Sequence, residues 1–322
     1  MSTPHNWTFD ADLGIYKNHA LSDDLLEVAI AETIILPFTE MVESFGKGKG
    51  ETINIMHVKE LPEPADARLN EFTRVPIDKL TLGTRSLTVA EWGRGVEYSD
   101  LARQLGKFDP KTYLQKRLKN QMKGVVDTAA AAAFLNSDVK MVFTPTGPAA
   151  GTWSTTGAAG AVALSPLTFD HMGIIRDYIT ASLHIPAFEG NDWIAIFPPK
   201  NMRGLRSDRL FQELHMYLGK GDFFFNGEIG KAEGIRLVEC NRENAFSNVG
   251  SGSATVIGEG VIFGDEAIAR VEVMAPELRV SVNYQDDFGR KGAVAWIGIF
   301  VFGAFWNTSN DGEAKIIKIL SL

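Results

Sequence analysis

The side chains that most often carry chemistry are scattered along this chain instead of gathered. Six histidines, His5, His19, His57, His171, His184 and His215, never pair at metal-ligand spacing, and one cysteine adds little to a zinc site. No serine sits in the Gly-x-Ser-x-Gly turn that exposes a hydrolase nucleophile. No Gly-Lys pair is followed by Ser or Thr, so the phosphate-cradling P-loop is missing. Gly258-Glu259-Gly260 with Gly264 comes near a dinucleotide fingerprint, but the last glycine is one residue late. The run after it also reads as strand and turn, where a pyrophosphate needs a helix N-terminus. A Rossmann-like oxidoreductase built on that turn is the enzymatic alternative. Carboxylates are plentiful, yet no spacing separates a general acid from a base. The expectation is a protein that is not an enzyme, with no catalytic residues, no metal and no cofactor. Cys240 ends the alternating run Ile235–Cys240 and reads as a buried structural thiol in a reducing compartment.

What remains is surface chemistry. Lys59–Lys79 is proline-rich and carries both signs of charge, with Lys59, Glu63, Arg68, Glu71 and Arg74 as candidate contacts to another subunit. Loops longer than about 12–15 residues are uncommon in compact domains and are usually functional or disordered. Two readings stand, a solvated surface loop and an extended arm that docks on a neighbour, and mixed charge suits docking. Phe223-Phe224-Phe225 cannot all face one core. Either a layered core takes them, or Phe224 and Phe225 meet a neighbouring subunit. Arg203, Arg206 and Arg209 lie three apart and make a solvated helical face or a DNA contact. Gly48, Gly50, Gly93 and Gly95 are candidate hinges, because glycine tolerates many backbone angles.

These residues need elements to hold them. Ser22 caps a helix with apolar positions Leu25, Leu26, Ala29 and Ile30, which Pro37 should stop near Leu36. Thr52–Val58 and Thr84–Glu91 alternate as strands of a long hairpin. Asp109-Pro110 opens a long helix to Asn136, with Leu114, Leu118, Met122, Val125, Ala129 and Ala133 as its apolar stripe. Ser165-Pro166 repeats that start, Trp193–Phe197 is a central strand, and Asp208–Leu218 is helical. Further strands are expected at Ile235–Glu239, Thr255–Ile257, Ala269–Met274, Leu278–Asn283 and Ala293–Trp306. With 322 residues, 45% hydrophobic and 22% charged, the chain can bury a sizeable core. The net charge of -8 lacks the basic excess of a dedicated nucleic-acid binder. The longest apolar run is too short to cross a membrane, which takes about 17–25 residues.

The order of elements resembles the major capsid proteins of tailed bacteriophages, an α+β architecture called the HK-97-like fold. Asn226–Glu239 looks like that family's glycine-punctuated turn into a central-lobe strand. Val261–Ala267 is similar to its Phe-Gly-x-x-Ala crossing, and Asp287–Gly292 to its penultimate turn. The resemblance implies an N-terminal arm at 1–49 and an extended loop at 50–96. It implies a peripheral domain at 97–164 and 265–322 with a spine helix at 109–136, and an axial domain at 165–264. It further implies a coat protein forming pentamers and hexamers of an icosahedral head around double-stranded DNA. Expected partners are the chain itself, a separate scaffolding protein, a portal and a decoration protein. Packaged DNA would be contacted without sequence specificity, and no membrane is involved. The expected place is the virion, with the host cytoplasm during assembly. An encapsulin-type nanocompartment shell is the alternative within the same fold.

Overall fold

A computed structural model describes residues 33–42, 50–59, 61, 63–64, 66–72, 74–105, 110–143, 151–154, 165–217, 228–242, 245–246, 249–251, 255–281, 290–306 and 314–321. All of them belong to one compact unit, Glu32–Leu322. The expected arm helix from Ser22, Gly48 and the Phe223–Phe225 run lie outside the described residues.

In chain order the elements are β1 (Glu40–Met41), β2 (Thr52–Val58), β3 (Leu82–Thr88), β4 (Ala90–Ser99), α1 (Asp100–Leu105), α2 (Pro110–Leu135), β5 (Lys140–Phe143), β6 (Gly151–Ser154) and α3 (Phe169–Tyr178). There follow β7 (Trp193–Phe197), α4 (Pro199–Ser207), α5 (Arg209–Tyr217), β8 (Glu228–Ala232), β9 (Ile235–Glu239), β10 (Val249–Ser251), β11 (Thr255–Phe263), β12 (Ile268–Ser281), β13 (Lys291–Ala304) and β14 (Ile316–Ser321). They make a hairpin of β2 and β3, a four-stranded sheet ordered β1-β12-β13-β4, and an eight-stranded sheet ordered β6-β5-β14-β11-β7-β9-β8 with β10 on β11.

The eight-stranded sheet is apolar on both faces. Trp193, Ala195 and Phe197 of β7 pack with Ile262, Ile317, Met172, Ile175 and Met202, against α3 and α4. The alternate residues Ile194 and Ile196 face the other way, onto Val261, Phe263 and the end of α2. This is the period-two geometry of a strand, and burial on both sides explains why β7 reads as an unbroken apolar run. The spine helix α2, about 39 Å long at 1.5 Å per residue, serves both sheets. Its first half puts Leu118, with Met122 and Val125, on Trp296 and Val294 of the four-stranded sheet. Its second half puts Ala130, Ala131 and Phe134 on the eight-stranded one.

Several elements depart from expectation for identifiable reasons. The second hairpin strand is two strands, β3 and β4, because pairing changes from β2 to β13 on either side of Val89. The two segments expected at 269–274 and 278–283 are one strand with register shifts between Glu272 and Glu277. Ser165-Pro166 does not open a helix. Thr168 caps α3 instead, with its amide and hydroxyl both meeting His171 Nδ1, at 3.1 and 2.8 Å. Gly258 and Gly260 lie inside β11 and Gly264 just beyond it, followed by β12 and no helix, which removes the dinucleotide reading. Gly260 is required because a Cβ there would come 2.2 Å from Phe197. The strands at 140–143, 151–154 and 316–321 join the eight-stranded sheet.

Candidate subunit interface

The hairpin is anchored at its base and bare at its tip. Thr52–Val58 pairs with β3 residue by residue, and Lys59 N donates to Thr81 O at 3.0 Å where the ladder ends. Ile53 and Ile55, on one face as the alternation requires, pack with Leu87 onto Ala269 and Val271. Beyond Lys59 the described chain runs without helix or strand to Leu82. Glu63, Arg68, Glu71 and Arg74 are all exposed there, and Lys59 at the base is half-buried. The same stretch carries large apolar side chains that the chain itself does not cover: Phe72 is 93% exposed, Ile77 78% and Leu69 64%. Arg68 N donates to the Asp66 carboxylate at 2.9 Å, a local turn and not a tie to the body.

The glycines divide. Gly50 has φ +101° with open space around it, the left-handed backbone that favours glycine, just before β2. Gly93 and Gly95 sit inside β4, paired with Ile297 and Ala295. A Cβ on Gly93 would be 2.8 Å from the Trp296 carbonyl, so close strand approach already demands glycine at that position.

A surface sequence reasoning did not find is the groove along the exposed side of α2. Ala129 and Ala133, read as stripe residues of the core, line a groove of about 860 Å³ together with Arg85, Trp92, Phe300 and Phe302. Trp92, Ala129 and Ala132 also wall a second hollow of about 510 Å³, which Arg242 and Gly124 close. Trp92 is held by stacking on Phe300, with ring centroids 5.5 Å apart.

Asp127 is the other unforeseen residue. It is fully buried in α2 and accepts backbone N–H bonds from Ile34, Ile35 and Leu36 at 3.4, 2.9 and 3.1 Å. Arg242, just past β9, pairs with it at 3.1 Å. Arg242 lies over Gly124, where a Cβ would come 3.0 Å from its Nη1, which accounts for a glycine in mid-helix. An aspartate among alanines on a helix face was the signal available in the sequence.

The remaining candidates have ordinary surroundings. Arg206 pairs with Glu239 and Arg209 with Glu213, so two of the three spaced arginines are committed within the subunit. Cys240 is buried as expected, and desolvation pushes its thiol pKa up. Among the described residues no group of three His, Cys, Asp or Glu could share a metal ion, and no helix is long and apolar enough to cross a membrane.

A family model described as phage capsid protein matches residues 83–316, well over half of the chain. The chain belongs to the phage capsid protein family. Solved structures agree on the fold of this capsid protein. A cyanophage Pam1 capsid subunit superposes with a TM-score of 0.72 at 16% identity, covering 95% of this chain and 96% of that one. The acid-stable capsid of Helicobacter pylori bacteriophage KHP30 gives 0.66 at 12%, covering 100% and 99%. The capsid of Ralstonia phage GP4 gives 0.61 at 15%, covering 98% of each. No curated protein matches the sequence. The expected HK-97-like α+β fold, the tailed-phage major capsid function and the virion capsid as its place are borne out.

Proposed function

We propose that this capsid protein assembles into pentamers and hexamers of an icosahedral head that encloses double-stranded DNA, and that it catalyses nothing. One observation carries the mode of assembly: a long arm whose apolar side chains are solvated in the lone subunit, on a body whose eight-stranded sheet is buried on both faces. An arm of that kind gains its buried surface from a neighbour, and closed rings of such contacts need no strong single interface, because many weak ones act together.

In this reading Lys59, Glu63, Arg68, Glu71 and Arg74 set the register of the overlap while apolar burial supplies affinity. Gly48 and Gly50 let one chain fit the differing surroundings of five- and six-fold rings. Phe224 and Phe225 remain candidate contacts to a neighbouring subunit. Residues 165–264 serve as the axial part, 97–164 and 265–322 with the spine helix as the peripheral part, and 50–96 as the extended loop. A separate scaffolding protein, a portal and a decoration protein are the proposed partners. DNA is held without sequence preference, consistent with the net charge of -8.

Negative-stain electron microscopy of the expressed protein, with and without its neighbouring phage proteins, tests this. Closed shells that take up DNA are the expected result. Closed shells that take up only protein cargo would favour the nanocompartment alternative. Small species under every condition would refute both. Deleting residues 62–78 should abolish closure while leaving a soluble subunit.

A further inference from the structure

We infer that the groove beside Trp92 on the spine helix receives Phe72 of a second copy of this chain. The inference rests on the proposal that the arm docks on a neighbour, and adds where it docks and by which residue.

The plug and the socket are both unfilled on the same molecule. Most of the large apolar side chains left exposed among the described residues lie between Met56 and Leu82, and Phe72 is the most exposed of them at 93%. The groove is floored by Ala129, Ala132 and Ala133 and walled by Trp92 and Phe302. Small residues on the floor leave room for an aromatic ring, and the stacked Trp92 offers a ring face or edge to meet it. Because Phe72 is almost fully solvated in this chain, it does not occupy its own groove. A surface and its complement borne at different places on one subunit make a heterologous contact, which repeats around a ring.

Charge points the same way. Among the described residues, the charged side chains lining the two hollows are Arg85 and Arg242, and no carboxylate lines either. Arg242 is committed to Asp127, while Arg85, half-buried on the same face of β3 as Leu87, lines the larger groove. Phe72 is preceded directly by Glu71, so inserting the ring brings an acid toward Arg85.

The test uses cysteine trapping, which the sequence makes clean because its one native thiol, Cys240, is buried. Phe72→Cys and Ala132→Cys are placed on separate full-length chains carrying tags of different size, and the two are co-assembled and mildly oxidised. A mixed-size disulfide dimer in closed particles, absent from unassembled subunits, is the expected product. Phe72→Ala should lower particle yield about tenfold or more, as the loss of a central aromatic anchor does, and Phe72→Trp should retain most of it. Glu71→Arg should also lower yield, and pairing it with Arg85→Glu should restore part of the loss. Particles that form normally and need residues 62–78, yet give no 72–132 dimer and ignore Phe72→Ala, would overturn this inference and leave the arm's role intact. Particles indifferent to the deletion would overturn both.

Discussion

The central lobe and the extended arm are built from the same kinds of side chain and use them in opposite ways. In the lobe, Phe263 is fully buried and touches rings from three other segments, with centroids 5.8 Å to Phe38, 4.6 Å to Phe134 and 6.1 Å to Phe188. In the arm, Phe72 stands in water. A buried phenylalanine contributes about 1.5–3 kcal/mol to folding relative to an exposed one, so the lobe is stabilised within one chain and the arm is not. Each region therefore realises its free energy at a different stage, the lobe at folding and the arm at assembly.

Truncating one phenylalanine in each region should have the most unequal effects. Phe263→Ala should destabilise the isolated subunit by about 3–5 kcal/mol through lost contacts and a cavity. Phe72→Ala should stay within about 0.5 kcal/mol, the usual range for surface changes. Chemical denaturation of the unassembled subunit measures both. A large loss from Phe72→Ala would mean that the arm is held by its own chain after all.

Asp127 sharpens the comparison from inside the body. It gathers the chain before β1, the spine helix and the segment after β9 at one carboxylate. Asp127→Ala strands Arg242, only 13% exposed, and three backbone donors, at an expected cost of about 3–5 kcal/mol. Asp127→Asn keeps an acceptor for the amides but loses the ion pair and should cost less. Limited proteolysis should show the segment around residues 34–36 opening first in both variants. Equal protection in wild type and Asp127→Ala would show that packing of Phe38, not the carboxylate, seats this segment.

How much of this was visible beforehand follows the range of the interactions. The spine helix was legible because Pro110, the apolar stripe and the alanine run are all local, and it came out as Pro110–Leu135. Trp193–Phe197 and Ile235–Glu239 were legible because short β-rich runs ended by breakers need no partner to be recognised. Asp127 was not, since its backbone partners lie more than ninety residues away in sequence. The groove was not, because alanine on a helix reads equally as close packing and as open floor. Ala130 and Ala131 are buried against the eight-stranded sheet while Ala129 and Ala132 line the hollow beside Trp92, a division set by elements distant in sequence. The arm was legible as a charged, proline-rich stretch, but its apolar content mattered more than its charge suggested.

The smallest expected effect concerns that charge. Arg68 and Arg74 are exposed and touch nothing that holds the fold, so Arg68→Glu with Arg74→Glu should leave the unfolding midpoint of the subunit unchanged. If these charges steer one subunit onto another, the double variant should assemble more slowly at low salt. The Debye length falls from about 10 Å at 0.1 M to about 3 Å at 1 M, so the gap between variant and wild type should close as salt rises. Light-scattering assembly kinetics across that range read the effect directly. A deficit that persists at 1 M salt would assign the arginines to direct, desolvated contacts, and the arm's polar residues would then belong with Phe72 as anchors instead of guides.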